Sequence, residues 1–259
     1  MGTNLLEAKD VHKRFGGIHA LRGVSVTVEE QSITGLIGPN GSGKTTFFNA
    51  VTGFIRPDEG SVLFRGTELS RLPGHRVVDL GLARTFQSPA DFPGLTVMEN
   101  LLAGGRHHPG DKLLRTFFSP GQTRRREREL IDRAWQVMDQ LGLTNLANAS
   151  ADALSIGENR LLQLGRQLMT EPTMLMLDEP TSGLNPEFQL KLRDLIRRLR
   201  DQQGMTFLVI EHNLSFIRSL TEKLYVMHLG QVIASGQPDD VARDPAVIET
   251  YLGGSYDAA

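Results

Sequence analysis

The sequence contains no cysteine among its 259 residues. This absence excludes disulfide bonds, iron–sulfur clusters, thiolate zinc sites and a cysteine nucleophile. Long apolar runs are also missing, because the longest stretch without Asp, Glu, Lys or Arg covers only 15 residues, 224–238, and contains His228 and a proline. Such a stretch is too short and too polar to cross a bilayer as a helix.

Neither sign of charge predominates, since 28 Lys and Arg residues stand against 30 Asp and Glu residues, for a formal net charge of −2. A basic excess would be expected of a protein that binds nucleic acid, so the composition gives no electrostatic case for such a partner. The first ten residues contain acids where a secretory signal peptide has bases followed by an apolar run. We therefore expect a soluble, cytoplasmic protein.

The apolar periodicity changes along the chain and predicts a mixed α/β fold. The first thirty residues alternate apolar and polar positions as strands do, and helical signals dominate from 96 to 141. Apolar strands are predicted at 33–37, 173–177 and 206–210, helices at 157–169, 186–203 and 245–252, and a late hairpin at 228–234. Strands that alternate with helices through short connections indicate a parallel sheet covered by helices.

Residues 38–45 read GPNGSGKT and match the phosphate-binding pattern G-x-x-x-x-G-K-[ST]. The glycines let successive backbone N–H groups turn toward one point, and the helix that begins near Lys44 adds the positive end of its dipole. Lys44 can then reach the β- and γ-phosphates of a nucleotide, and the Thr45 hydroxyl can ligate Mg²⁺. The apolar strand before the loop and the helix after it are the context that this motif requires.

Two acids, Asp178 and Glu179, end the apolar run at 173–177. The carboxyl ends of parallel strands meet at one sheet edge, so Asp178 is expected to hold Mg²⁺ near the phosphate loop. Glu179 can act as general base toward a water that attacks the γ-phosphate. His212 follows the strand at 206–210 and is expected to contact the γ-phosphate and orient Glu179, although a lone histidine is more often structural.

In order and spacing, these motifs resemble those of the ATP-binding subunits of ABC transporters, and the resemblance covers nearly the whole chain. Residues 38–45 look like the Walker A motif and 174–178 like Walker B, with Glu179 as the catalytic glutamate and His212 as the switch histidine. The Q-loop is matched by 85–87 (TFQ), the signature by 154–158 (LSIGE) and the D-loop by 182–185 (SGLN).

The resemblance implies a role for each of these positions. Catalytic roles fall to Glu179, His212, Gln87 and Lys44, and ligation of Mg²⁺ to Thr45, Gln87 and Asp178. The nucleotide-binding residues it implies are Phe15, where an aromatic stacks on adenine, and Gly38, Asn40, Gly41, Ser42, Gly43, Lys44, Thr45, Thr46, Ser155, Gly157 and Glu158.

The signature departs from the family pattern, because Ile156 replaces its middle glycine and Glu158 its glutamine. Ser155 and Glu158 also form a capping-box pattern that would open a helix. The two interpretations are compatible, since the resemblance implies that the N-terminus of this helix faces the γ-phosphate bound to a second subunit. Asn185 replaces the usual D-loop aspartate and is equally suited to cap the helix that begins at Pro186.

The implied fold is an α/β P-loop NTPase of the ABC ATPase type, with a mostly parallel sheet core, an antiparallel β subdomain and a helical subdomain. Within a single ABC ATPase domain of residues 1–259, the nucleotide-binding core and β subdomain would comprise 1–86 and 172–235. The helical subdomain with the Q-loop and signature would comprise 87–171, and a C-terminal helical tail 236–259.

Residues 81–87 (GLARTFQ), 95–101 (LTVMENL) and 211–216 (EHNLSF) look like those of the branched-chain amino acid importer ATPases, whose relatives import urea and short amides. The resemblance implies ATP and Mg²⁺ as cofactors and location at the cytoplasmic face of the inner membrane. Its implied partners are a second ATPase subunit (self or paralogue) across a two-fold interface, a membrane permease and, indirectly, a solute-binding protein.

An ATPase subunit of an exporter or of a lipid-extraction system is the main alternative. A non-transport ABC ATPase fits less well, because such chains carry two ATPase cores or a long coiled coil. A GTPase or kinase would leave the signature-like segment and His212 unexplained, and the guanine-reading N-K-x-D motif is absent.

Overall fold

A computed structural model of the chain describes residues 3–85, 92, 94–105 and 120–253, with the backbone alone for 120–123 and 251–253. The chain divides into two compact units. The first comprises Met1–Gln87, Thr173–Ser182 and Gln189–Ala259, and the second comprises Ser88–Pro172 and Gly183–Phe188.

The strands of the described chain are β1 Asn4–Phe15, β2 Ile18–Glu29, β3 Ile33–Ile37, β4 Glu59–Phe64, β5 Thr67–Glu68, β6 Leu82–Arg84, β7 Met174–Asp178, β8 Thr206–Ile210, β9 Lys223–His228 and β10 Gln231–Gly236. The helices are α1 Lys44–Val51, α2 Gly74–Asp79, α3 Val97–Gly104, α4 Pro120–Leu141, α5 Ile156–Leu168, α6 Pro186–Gln203, α7 Leu214–Leu220, α8 Pro238–Val241 and α9 Pro245–Gly253. Two 3₁₀ turns, Thr144–Leu146 and Ala151–Ala153, lie between α4 and α5.

Two sheets build the first unit. One is antiparallel with the order β2-β1-β4-β5, and the other has the order β10-β9-β3-β8-β7-β6. Strands β9, β3, β8, β7 and β6 are parallel, and only β10 at the edge runs antiparallel. Every residue of β3, β7 and β8 is buried, as expected of parallel strands covered on both faces. The predicted α/β fold is confirmed.

The register of the parallel sheet brings three strand ends together. Leu36 of β3 and Asp178 of β7 both pair with Ile210 of β8. The loop after β3, the acids that end β7 and the residues after β8 therefore lie at one edge. A shared core beneath it includes Phe47 and Phe48 of α1, which fixes the helix after the phosphate loop against the sheet.

The second unit is helical. Helix α4 buries one apolar face, which includes Ala134, Val137 and Met138. Both α3 and α5 begin at capping boxes, Thr96 with Glu99 and Ser155 with Glu158. None of the described helices is long and apolar enough to cross a membrane.

Several elements differ from the sequence-based expectation. The hairpin expected at 228–234 is longer, because its first strand starts at Lys223 and pairs in parallel with β3. The short strand β6 and the helix α7 were not predicted, since three and seven residues carry too little periodicity to identify them.

Candidate active site

The phosphate loop, residues 38–43, connects the buried strand β3 to α1. Gly38 and Gly43 adopt positive φ angles of 152° and 103°. A Cβ atom at Gly38 would lie 2.1 Å from the carbonyl oxygen of Met227, and one at Gly43 would lie 2.6 Å from that of Ala20. Glycine is therefore required at both positions by the backbone conformation and by close approach of neighbouring backbone.

Lys44, the first residue of α1, is buried with its ammonium group inside the loop. Its Nζ donates hydrogen bonds to the carbonyl oxygens of Gly38, at 2.8 Å, and Pro39, at 2.9 Å. Burial lowers the pKa of Lys44 from its ordinary value, while the carboxylates of Glu179 and Asp178 act in the opposite direction. The loop thus holds a cation close to two acids of the neighbouring strand end.

A cavity of about 390 Å³ opens at this loop. Of the expected nucleotide-site residues, it is lined by Asn40, Gly41, Gly43, Lys44, Thr45, Thr46 and Glu179. Six further lining residues were missed, namely Ile18, His19, Ala20 and Arg22 of β2 and Leu229 and Gly230 of the β9–β10 turn. No local motif marks them, because they reach the cavity through sheet pairing.

Asp178 ends β7 with its side chain almost fully buried. Its Oδ2 accepts a hydrogen bond of 2.6 Å from Nη2 of Arg84, and Nη1 of the same guanidinium donates to Oδ1 of Asn49 at 2.5 Å. Oδ1 of Asp178 has no hydrogen-bond partner among the described residues. A buried carboxylate oxygen of this kind suits a hard divalent cation such as Mg²⁺. Sequence reasoning missed Arg84. The signal available in the sequence is that this charged residue stands at the end of a short apolar segment.

The described residues contain no group of three or more acid or histidine side chains that could hold a metal ion on its own. The oxygen donors that could hold Mg²⁺ together with Asp178 are the Thr45 hydroxyl and the phosphates of a bound nucleotide. This donor set is the oxygen-rich one that Mg²⁺ takes at P-loops.

Glu179 and His212 meet at the sheet edge. Oε1 of Glu179 lies 2.5 Å from Nε2 of His212, and both side chains are partly exposed. The backbone N–H of Glu179 donates to the carbonyl oxygen of Ile210 at 3.0 Å. Glu179 adopts a φ of 47°, which is costly for a residue other than glycine. The contact with His212 can hold the Glu179 carboxylate in a defined orientation toward an attacking water molecule.

Glu211, beside His212, is a further residue that sequence reasoning missed. It is only 2% exposed, and its two carboxylate oxygens accept hydrogen bonds from the turns that follow β7 and β8. Its adjacency to the predicted switch histidine was the available signal. The charge of a buried acid requires such donors, which indicates that Glu211 organises this edge.

In the second unit, Ser155 and Glu158 make the predicted capping box. Ser155 Oγ donates to Glu158 Oε2 at 2.6 Å, and the Glu158 N–H donates to Ser155 Oγ at 3.3 Å. The hydrogen bonds from the Ser155 hydroxyl and N–H hold the pKa of Glu158 below its ordinary value. Ile156 is 67% exposed. Gly157 packs on Phe188, whose ring atoms lie 2.4–2.6 Å from where a Cβ would be.

One expected residue, Phe15, lies apart from this geometry. Phe15 ends β1 with 47% exposure, and it is not among the described residues that line the cavity. Its ring lies 5.6 Å from Nζ of Lys13. Gln87 lies outside the described residues. Asn185 caps α6, since its Oδ1 accepts the Phe188 N–H at 2.9 Å.

Hydrolysis of a nucleoside triphosphate is the reaction that the groups at this edge can perform together, which makes the class of protein a P-loop NTPase. A family model described as "ABC transporter" matches residues 21–182, more than half of the chain. The chain therefore belongs to the ABC transporter family, and it is an ATP-hydrolysing protein of that family. A second model, "Branched-chain amino acid ATP-binding cassette transporter", matches residues 231–257.

Curated relatives match over nearly the full length. The chain is 40% identical to the high-affinity branched-chain amino acid transport ATP-binding protein BraF of Pseudomonas aeruginosa, covering 98% of this chain and 99% of the relative. It is 38% identical, with the same coverage, to the corresponding protein LivG of Escherichia coli.

Two solved structures agree with this assignment. A nucleotide-free ATP-binding cassette from an ABC transporter superimposes with a TM-score of 0.84 at 36% identity, covering 96% of this chain and 99% of its own. Another cassette in its ADP conformation gives a TM-score of 0.85 at 37% identity, with coverage of 97% and 99%.

Proposed function

We propose that this chain is the ATPase subunit of an ABC importer, in which ATP-driven closure of a dimer powers permease-mediated uptake. Branched-chain amino acids, or a related small polar solute such as urea or a short amide, are the proposed substrates. The observation that carries the proposal is full-length similarity of 38–40% to BraF and LivG, both named as branched-chain amino acid transport proteins. The family match at 231–257 supports the same group.

The phosphate loop binds the β- and γ-phosphates of ATP through its backbone N–H groups and Lys44, while Phe15 stacks on the adenine. Thr45, Asp178 and Gln87 hold Mg²⁺. When bound, Mg²⁺ neutralises charge on the β- and γ-phosphates. Oδ1 of Asp178, which is buried and has no hydrogen-bond partner in the part of the chain that the structure describes, supports this ligand assignment.

Glu179 accepts a proton from the water that attacks the γ-phosphorus, and ADP leaves as inorganic phosphate forms. His212 holds Glu179 through the 2.5 Å contact and reaches the γ-phosphate. A second ATPase subunit, identical or paralogous, contributes Ser155, Gly157 and Glu158 to the same nucleotide. The α5 N-terminus that carries them favours an anion.

The partners proposed are integral membrane permease subunits and, through them, a solute-binding protein, which places the chain peripherally at the cytoplasmic face of the inner membrane. Purification of the tagged protein from membranes tests this arrangement. We expect a permease to co-purify, and ATP hydrolysis by the complex to rise when a branched-chain amino acid and its binding protein are added. Co-purification of an exporter or a lipid-extraction complex would overturn the proposal.

The role of Glu179 is tested by Glu179→Gln, which removes the base but keeps the side-chain shape. Turnover should fall by about 100-fold or more, because general-base catalysis contributes at least that factor. ATP affinity should stay within about twofold in an equilibrium titration, since the phosphate contacts are untouched. Glu30→Gln, at an exposed acid on the first unit, serves as the matched control. Wild-type turnover in Glu179→Gln would contradict this assignment.

A further inference from the structure

The carboxylate of Glu211 connects two turns of the first unit. Oε1 accepts hydrogen bonds from the N–H of Thr181, at 2.8 Å, and from its Oγ1, at 2.7 Å. Oε2 accepts from the N–H groups of His212, at 3.1 Å, and Asn213, at 3.4 Å. Both carboxylate oxygens are therefore occupied by donors from the protein itself, and no capacity is left over for a ligand.

These two turns carry the hydrolytic pair. Thr181 lies two residues beyond Glu179, and His212 directly follows Glu211. Strands β7 and β8 bring the turns side by side, since Asp178 pairs with Ile210. One backbone bond, from the Glu179 N–H to the Ile210 oxygen, spans the pair of strands at this point. Beyond it, among the described residues, the carboxylate of Glu211 connects the two turns through four hydrogen bonds, in addition to the contact between Glu179 and His212.

We propose that Glu211 is a positioning residue for ATP hydrolysis. Its carboxylate holds the Thr181 turn and the His212 turn in one register, so that Nε2 of His212 meets Oε1 of Glu179. The inference rests on the proposed roles of Glu179 and His212. A carboxylate suits this task because it accepts from two sides at once, whereas an amide presents one oxygen and one donor. Bonds from N–H and O–H groups to an ionised acceptor are also the stronger kind.

Glu211→Gln tests the proposal, because it preserves shape but can satisfy only one of the two turns. We expect single-turnover hydrolysis of ATP to slow by about 10- to 100-fold, the cost of a displacement of about 1 Å at a reacting group. ATP affinity should be unchanged. Glu68→Gln is the matched control, since Glu68 also accepts hydrogen bonds from two backbone N–H groups and a hydroxyl group but lies in the antiparallel sheet. That control should keep the wild-type rate.

A double-mutant cycle separates positioning from general support of the fold. In a His212→Ala background, Glu211→Gln should slow hydrolysis by less than about twofold, because the group through which Glu211 acts is gone. Equal losses in both backgrounds would overturn the proposal, and so would a wild-type rate in Glu211→Gln. A wild-type protein without ATP hydrolysis would instead contradict the proposed function itself.

A spectroscopic measurement does not depend on turnover. The Nε2 proton of His212 should give a hydrogen-bonded resonance that Glu179→Gln alters and that Glu211→Gln alters in the same way. An unchanged resonance in Glu211→Gln would overturn the proposal.

If Glu211→Gln fails to fold, variants of Thr181 provide the test. Thr181→Val removes only the Oγ1 donor and should reduce the rate of ATP hydrolysis by a smaller factor, and Thr181→Ser should restore the rate. Equal rates for both Thr181 variants would then overturn it.

Discussion

The buried ion pair between Arg84 and Asp178 allows a quantitative prediction. The Arg84 and Asp178 side chains are 6% and 1% exposed, and Nη2 lies 2.6 Å from Oδ2. At an effective dielectric constant of 20, that distance corresponds to an attraction of about 6 kcal/mol. Desolvation of the two ions costs several kcal/mol each, so the intact pair adds little net stability. Removal of one partner leaves the desolvation cost of the other buried ion uncompensated.

Arg84→Met should therefore lower the free energy of unfolding by about 3–5 kcal/mol. At roughly 2–4 °C per kcal/mol for a chain of this size, the thermal midpoint should fall by about 6–20 °C. The double variant Arg84→Met/Asp178→Asn should recover at least about 2 kcal/mol of this loss, because it removes the stranded charge as well. Circular dichroism melts in the presence of EDTA measure these values without a metal to replace the guanidinium.

Arg128→Met, at an exposed position of α4, provides the control and should change stability by less than about 0.5 kcal/mol. Arg84→Lys should fall between the wild type and Arg84→Met, because an ammonium cannot reproduce the fork that reaches both Asp178 and Asn49. The reasoning would be refuted if Arg84→Met lowered the free energy of unfolding by less than about 1 kcal/mol. It would also be refuted if the loss in the double variant equalled the sum of the losses in the two single variants.

Two other variants test local features. In urea denaturation, Glu179→Gly should be about 1 kcal/mol more stable than Glu179→Ala. The reason is that φ at this residue is 47°, which glycine adopts without strain. The order of the two variants would be reversed if the strain were absent. Ser155→Ala should cost about 1 kcal/mol through loss of the α5 cap. Since the pKa of Glu158 is lowered chiefly by the Ser155 hydroxyl, the stability of the capping box is present above the ordinary glutamate pKa and is lost as the pH falls through the lowered one. Melts from pH 7 to pH 3 should show less of this acid dependence in Ser155→Ala, and identical profiles would contradict it.

The regular elements that the sequence predicted best are those with local boundary signals. Helix α6 spans Pro186–Gln203, as predicted, because Asn185 caps its start and Gly204, with a φ of 65°, ends it. Strands β3 and β8 also keep their predicted bounds, since each is a short, fully buried apolar run. These signals lie within the element itself or directly beside it, where a single sequence reveals them.

The contacts that organise the strand edge were beyond local reasoning. The motifs identified Lys44, Asp178, Glu179 and His212, whose residue types and spacing follow from phosphate chemistry. Arg84 and Glu211 act through partners that are 94 and 30 positions away in the chain, Asp178 and Thr181. No periodicity or motif specifies such a pair, because the sheet register creates it.

Backbone strain at the cavity shows the same dependence on distant strands. Among the described residues other than glycine, positive φ angles occur at Asp10, Gln31, Arg65, Glu171, Glu179 and Leu229. Two of these six, Glu179 and Leu229, line the cavity. Local preference disfavours this conformation, so long-range hydrogen bonds must offset its cost. The Glu179 N–H bonds to the Ile210 oxygen, and Gly230, next to Leu229, bonds through its N–H to the Ser42 oxygen at 3.0 Å. Hydrogen bonds to strand β8 and to the phosphate loop thus hold the cavity backbone at Glu179 and beside Leu229 in these unfavourable conformations.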